Sequence, residues 1–371
     1  ADLALGLVVV EMLGDDAPHP RRTAFACAVA AVAVATRLEG AFLVAAASGL
    51  FVLRGRWGPA VALSACGAAP VVAIGLVAKS HGWGFLPSSI ALKGEMPSFS
   101  TPHGIFNALG GHGLANWASS TEIVCVTLLT VVAAACAAAS PRRPRVTPLL
   151  VMIGCATLLH CQFAWILGRY TAYLMGLGVA GVALTWPDVP AALRRPVAAR
   201  VAWVAALLPL VWHGAFLEAK TPLAVKNIYE QQGQLVRLFG AKDQGPVALN
   251  DVGAVSYFDG VHVVDVWGLV TREVAAARTS HAYTTERMDE ICRAHGVRVA
   301  AIYDAWFDGR ECPKPPPSWT RVGTWRIADN VVCGSNVVTF YAVAPAEAAP
   351  LRARLAEFAG SLPSGVTQTL D

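Results

Sequence analysis

The chain has 371 residues, of which 55% are hydrophobic and 15% charged, with a mean hydropathy of +0.50. Soluble domains carry about 25% charged residues, so the composition argues against a purely cytosolic protein, and a chain this apolar does not stay disordered. The net charge of +4 is uneven: residues 1–220 hold 15 Lys and Arg against 9 Asp and Glu, or +6, and the remainder 14 against 16, or −2. Neither half has the basic face of a nucleic-acid binder, and no C-x-x-C pair among the nine cysteines points to a structural zinc.

Residues 1 to about 217 read as apolar segments at 1–13, 23–36, 41–53, 58–79, 119–140, 146–167, 171–186 and 199–217. About 20 apolar residues span a bilayer, so 23–36 and 41–53 are short and read as a hairpin. The first segment begins at Ala1 in mid-run, without the basic flank or cleavage site of a signal peptide, and reads as cut off. If every segment crosses, Arg21–Arg22, Arg54/Arg56, Arg142/Arg143/Arg145 and Arg194/Arg195/Arg200 fall on one side, which the positive-inside rule makes cytoplasmic. The opposite side receives the Thr36–Gly40 turn, the loop 80–118, the turn Gly168–Tyr170 and everything after about residue 218. The expectation is a multi-pass α-helical membrane domain over 1–217, in the inner membrane, followed by an extracytoplasmic domain over 218–371.

The second half reads as a soluble α/β domain with a mostly parallel sheet. Ala224–Phe239 has the pattern of an amphipathic helix ended by Gly240. Strands are expected at Pro246–Asn250, Val261–Val266, Val297–Tyr303, Arg321–Ile327 and Val337–Val343, with helices at Thr284–His295 and Ala346–Ala359. Strands alternating with helices argue for parallel pairing with covered faces.

Several polar residues are out of place in this frame. Arg37 and Glu39, between two apolar segments, must pair, face water or bind a ligand, because burying either alone is costly. Lys93 projects from the Gly-, Pro- and aromatic-rich stretch that begins at His81, and Arg169 lies on the outer side, where positive-inside bias does not account for it. An Arg fork suits bidentate phosphate binding, and snorkelling to headgroups is the other reading. His160, Gln162 and His213 near helix ends read as packing or interfacial residues. Asp251 and Asp265 each follow a strand, where open α/β sheets bind ligands and where Asp also serves as a helix N-cap. No G-x-G-x-x-G or Walker A run is present. Cys292, Cys312 and Cys333 lie in the outer half, where disulfides persist, with no pairing selected.

Together these stretches resemble bacterial membrane glycosyltransferases of the GT-C class. Thr36-Arg37-Leu38-Glu39-Gly40 resembles their T-R-P-E-G turn, with Leu38 in place of Pro. The run from His81 to Lys93 resembles their aromatic-Gly, Leu-Pro-Asn-Thr, Lys loop, with Ser88-Ser89 for Asn-Thr, and Gly168-Arg169-Tyr170 resembles their G-R-Y helix start. Asn250-Asp251-Val-Gly-Ala-Val-Ser-Tyr257 and Val264-Asp265-Val-Trp-Gly-Leu269 resemble outer-domain stretches of the arabinofuranosyltransferase-like subgroup. The resemblance implies transfer of a sugar from a polyprenyl-phosphate donor to a cell-envelope glycan or glycolipid acceptor at the outer face of the inner membrane. Arg37, Lys93 and Arg169 would bind the donor phosphate, with His81, Tyr170, Asp251 and Asp265 supporting or contacting the acceptor. The class carries its catalytic aspartate in the first outer loop, which the resemblance puts upstream of Ala1; Glu39 is the acid inside the surviving membrane motifs. No metal ligands are assigned, and a divalent metal is left open. The competing expectation is a non-enzymatic membrane protein whose outer domain binds a glycan or an assembly partner.

Overall fold

The computed structural model describes residues 1–14, 20–93, 102–138, 143–164, 168–186, 196–240, 245–258, 260–309 and 312–371. Two compact units emerge, one of residues 1–87 and 93–215, the other of residues 88–92 and 216–371.

The first unit is helical. Each of the eight apolar segments forms a helix: α1 (Asp2–Gly14), α2 (Pro20–Thr36), α3 (Gly40–Leu53), α4 (Trp57–Ser80) and, beyond the short α5 (Ser88–Lys93), which is counted with the second unit up to residue 92, and α6 (Pro102–Phe106) and α7 (His112–Ser119), the helices α8 (Thr121–Ala138), α9 (Arg143–Phe163), α10 (Gly168–Thr185) and α11 (Pro196–Glu230), the last continuing past residue 215 into the second unit. Among the described residues, three stretches have the length and composition to cross a membrane: Trp57–Ser80, Thr121–Ala138 and Val146–Phe163. Gly40–Leu53 and Tyr170–Thr185 are apolar but shorter.

Inside this unit α3 lies between α4 and α9, α2 runs beside α4, α8 packs on α9 and α10, and α1 packs on α9, α2 and α10. The core is built from small and branched side chains, including Leu5, Val9, Ala30, Leu43, Ala47, Leu149, Ile153 and Leu174. Gly40 permits the tight α2–α3 turn, since a Cβ there would lie 2.9 Å from the Ala33 carbonyl. At the opposite end of the bundle, Arg54 donates to Leu13 O at 2.6 Å and Arg56 donates to Met12 O. These two arginines satisfy carbonyls that a helix C-terminus leaves open.

In the stretch 80–118, expected as a loop, the described residues 102–118 are helical, because α6, a π-type turn (Asn107–Gly111) and α7 follow one another directly. Gln162 ties it to α9 by donating to Asn107 O at 2.7 Å and accepting from Gly113 N at 3.0 Å.

The second unit contains α12 (Gln232–Phe239), β1 (Val247–Leu249), α13 (Gly253–Phe258), β2 (Val263–Asp265), α14 (Arg272–Thr279), α15 (Thr285–Ala294), β3 (Val299–Ile302), β4 (Thr320–Ile327), β5 (Val337–Ala342), α16 (Ala348–Phe358) and β6 (Val366–Leu370). All five expected strands are present, and β6 is a sixth. The sheet is mixed rather than mostly parallel, in the order β2-β1-β3-β5-β4-β6. β2, β1 and β3 are parallel, whereas β5, β4 and β6 join antiparallel. The reason lies in the connections: a parallel pair needs a crossover of a dozen or more residues. Helices supply it between β1, β2 and β3, but only residues 328–336 link β4 to β5.

Strand periodicity puts alternate residues on opposite faces. Val247, Leu249, Val299 and Ala301 pack with α12, Val255 of α13 and Leu351 and Leu355 of α16. Ala248, Ala300 and Ile302 pack with Val274 of α14 and Met288 and Ile291 of α15. All nine cysteines are thiols; Cys292 and Cys312 share the second of these clusters.

Candidate functional site

Three of the polar residues singled out in the helical unit meet at one end of the bundle. Arg37 follows the last turn of α2, Glu39 precedes α3, and Tyr170 lies in the first turn of α10. The Arg37 guanidinium lies 5.1 Å from the Tyr170 ring centroid and 3.5 Å from the Glu39 carboxylate. An aromatic face beneath a guanidinium and a carboxylate at its edge fix the direction in which the planar fork points. Asp2, at the start of α1, interacts electrostatically with both Arg37 and Glu39.

Beneath this patch His160 of α9 is fully buried, edge-on to Phe42 at 6.1 Å, with the Tyr173 hydroxyl 3.3 Å from its Nδ1. Residues distant in sequence thus form one patch: Arg37, Glu39 and Tyr170 meet, with Asp2, His160 and Tyr173 beside them. Lys93 ends α5 and Arg169 is the second residue of α10, adjacent to Tyr170, but their side chains lie outside the described residues. His81 stacks obliquely with Trp83 at 5.5 Å, both exposed beyond α4. His213 pairs with Glu122 at 3.2 Å.

In the second unit Asp251 and Asp265 follow or end neighbouring parallel strands and do different things. The Asp265 carboxylate is buried and accepts the N–H groups of Trp267 (2.8 Å), Gly268 (3.0 Å) and Val270 (2.9 Å), while its own N–H is taken by Thr271 Oγ1 at 2.7 Å. It is the organising acceptor of a turn in which Gly268 has φ +96°, and the N–H groups it accepts precede α14, so it is not a helix cap. Asp251 is half-buried, and its Oδ2 accepts from Gln232 Nε2 at 3.0 Å and Tyr303 OH at 3.1 Å. No helix N–H is among these partners, so it is not an N-cap either.

Around Asp251 stand residues that the sequence reading did not single out. The Tyr303 hydroxyl also lies 2.6 Å from Gln231 Oε1 and 2.7 Å from Gln232 Nε2, and Asn250 Oδ1 accepts from Tyr303 N at 3.0 Å. Trp306 meets the Tyr303 ring at 5.4 Å and the Trp267 ring at 5.9 Å. The available signal is the polar run Asn227-Ile-Tyr-Glu-Gln-Gln-Gly-Gln234 inside the expected amphipathic helix, whose polar side chains would ordinarily face water. Instead Asn227, Glu230, Gln231, Gln232 and Gln234 are all buried, while Ile228 and Tyr229 are exposed. Asn227 and Gln231 spend their amides on the β4–β5 connection, through Ala328 O, Val331 N and Ser335 O. The chain also breaks at Gln231, so α11 and α12 replace the single expected helix.

Burial raises both carboxyls above their ordinary value of 3.8, against the opposing pull of Tyr303 on Asp251 and of the turn N–H groups on Asp265. The folded state therefore holds these protons to higher pH than the unfolded chain does. Their contribution is most favourable below about 3.8 and declines as pH rises through the raised folded values. Asp251→Asn removes one of the two titrating groups, so unfolding midpoints measured between pH 4 and 8 should fall less steeply with pH than in the wild type.

Among the described residues no cluster of three or more His, Cys, Asp or Glu side chains could hold a metal ion. Comparison with known proteins finds one family: residues 226–341, from the last turns of α11 into β5, match the family model described as Domain of unknown function (DUF8728). No curated protein and no solved structure matches the chain.

Proposed function

We propose that the protein is a membrane glycosyltransferase, or part of one, that moves a sugar from a polyprenyl-phosphate donor to a cell-envelope acceptor at the outer face of the inner membrane. The observation that carries this reading is the Arg37–Glu39–Tyr170 patch, which brings together two of the stretches that resemble GT-C motifs across about 130 residues of chain. Breaking the anomeric bond builds negative charge on the leaving phosphate, and a preoriented guanidinium stabilises that charge as it develops. Glu39 and Asp2 are the carboxylates of the patch; Glu39 orients Arg37, and Asp2 stands beside both.

The membrane setting is supported by the surface of the helical unit. Trp57, Val61, Val72, Ile74, Leu76 and Val77 of α4 are exposed. Soluble monomers rarely carry contiguous apolar surface on this scale, and hydrocarbon accommodates it at no cost. In this reading all eight segments cross, the shorter ones as a tilted or protein-covered hairpin.

The test is sugar transfer from labelled polyprenyl-phosphate sugar by the full-length protein in membranes, with Arg169→Lys alongside the wild type. Arg169 is assigned to the donor phosphate because it adjoins Tyr170 in the sequence of the helix that carries the patch. Lys keeps the charge and loses the fork, so half-saturating donor should rise by about one to two decades, the equivalent of about 1.5–3 kcal/mol for a charge-assisted bond. Unchanged donor dependence at equal thermal stability would make Arg169 a headgroup anchor. Absence of transfer to any envelope glycan by the wild type would refute the enzyme itself.

A further inference from the structure

The edge of the sheet beyond β1 and β3 has the construction of a ligand crevice. β2, β1 and β3 are parallel, so their C-terminal ends lie on one edge. The chain leaves β1 toward β2 and returns past β1 to β3, so the strand order reverses between β1 and β3. The outgoing connection runs through α13 on one face and the return through α14 and α15 on the other. In open α/β sheets such a reversal leaves a crevice between the diverging loops, and ligands bind there.

The residues at this point are Asn250 and Asp251 after β1, Tyr303 and Trp306 after β3, and Gln232 from α12. Two polar atoms there are buried without a hydrogen-bond partner: Asn250 Nδ2, on a residue 5% exposed, and Gln232 Oε1, on a residue 4% exposed. Buried amide groups are nearly always satisfied, so one donor and one acceptor, on the side chains that hold the backbone and the hydroxyl end of Tyr303, await a partner. Asp251 and Trp306 are half-buried, which leaves the crevice open to solvent on that side.

The chemistry selects the ligand class. Anions are disfavoured by the Asp251 carboxylate and by the lack of a glycine-rich phosphate turn after β1. The guanidinium of Arg278 lies 4.1 Å from the Trp267 ring centroid and donates to Trp267 O at 2.7 Å, so its charge is engaged there. What remains is a carboxylate, two amides and the half-buried ring of Trp306, whose indole N–H donates to Gly334 O at 3.1 Å; carboxylate and amides match vicinal hydroxyls, and the ring matches the C–H face of a pyranose or furanose. We infer that the crevice between β1 and β3 is a carbohydrate-binding site, with Trp306 as the stacking platform and Asp251, Asn250 and Gln232 as the hydroxyl partners. That the bound glycan is the acceptor rests on the transferase reading; the binding itself does not.

The experiment is calorimetric titration of the full chain, in detergent micelles, with soluble arabino-, galacto-, manno- and gluco-oligosaccharides. At least one series should bind with a Kd below about 10 mM. Trp306→Ala should weaken that binding by about tenfold or more, Asp251→Asn by several-fold, and Trp306→Phe only slightly, because Phe keeps the apolar platform. If Trp306→Ala fails to fold, the order Trp306→Phe above Asp251→Asn still tests the assignment. No heat with any oligosaccharide, or affinities indifferent to both Trp306→Ala and Asp251→Asn, would overturn it. Binding without sugar transfer would remove the transferase and leave a glycan-binding domain, whereas transfer without binding would remove this site alone.

Discussion

Asp265→Ala should be the most damaging single substitution in the α/β unit, lowering its stability by about 3–5 kcal/mol. Three backbone N–H groups, those of Trp267, Gly268 and Val270, would lose their acceptor around a carboxylate that is 1% exposed. Each buried donor left unmade costs about 1–3 kcal/mol. Release of the buried charge, whose cost shows in the raised carboxyl pKa, offsets part of the sum. For a unit of this size the change corresponds to a melting point lower by about 8–15 °C. Asp265→Asn keeps one acceptor oxygen and turns an amide toward the remaining donors, so it should fall between Ala and the wild type. Calorimetric or circular-dichroism melts of the three proteins check the order. If Asn melted below Ala, the hydrogen-bond account of the turn would be wrong.

The second large effect is expected at Arg37. Arg37→Gln shortens the side chain and removes the charge that, in the proposed transferase, would stabilise the leaving phosphate, and removal of a preorganised charge-stabilising donor costs about 100-fold or more in rate. The loss should appear in transfer rate at saturating donor, because the interaction strengthens as charge develops. Glu39→Gln should cost less, since it loosens the 3.5 Å pair that aims Arg37 without removing the cation. Tyr170→Phe keeps the ring beneath the guanidinium and should be mild, whereas Tyr170→Ala removes the cation–π contact made at 5.1 Å. Arg37→Gln with an undiminished rate would move the phosphate site elsewhere.

Local patterns in the sequence determined most of the elements. Each apolar run of the first half became a helix, because a helix satisfies its backbone within the segment and leaves a long run of apolar side chains free to pack on its neighbours. Five strands followed from short β-branched and apolar runs, while β6, Val-Thr-Gln-Thr-Leu, went unread because an edge strand of alternating polarity carries little hydrophobic signal. The sequence also marked Arg37, Glu39 and Asp251 as polar residues needing a reason, and Tyr170 only through the motif it resembles.

What only the tertiary structure decided were the relations across long stretches of chain. The sheet turned out mixed because strand direction depends on what connects the strands, and the short β4–β5 link allows only a hairpin. Asp251 and Asp265 look alike in sequence, each beside a short strand, yet one holds its own turn and the other joins Gln232 and Tyr303. The difference lies in partners about 20 and 50 residues away, which no local pattern encodes. The same holds for Asn227 and Gln231, whose amides belong inside because loop carbonyls and an N–H group about 100 residues downstream are there to receive them. Polarity in a helix tells which side chains need partners; the folded chain alone determines whether water or a buried backbone supplies them.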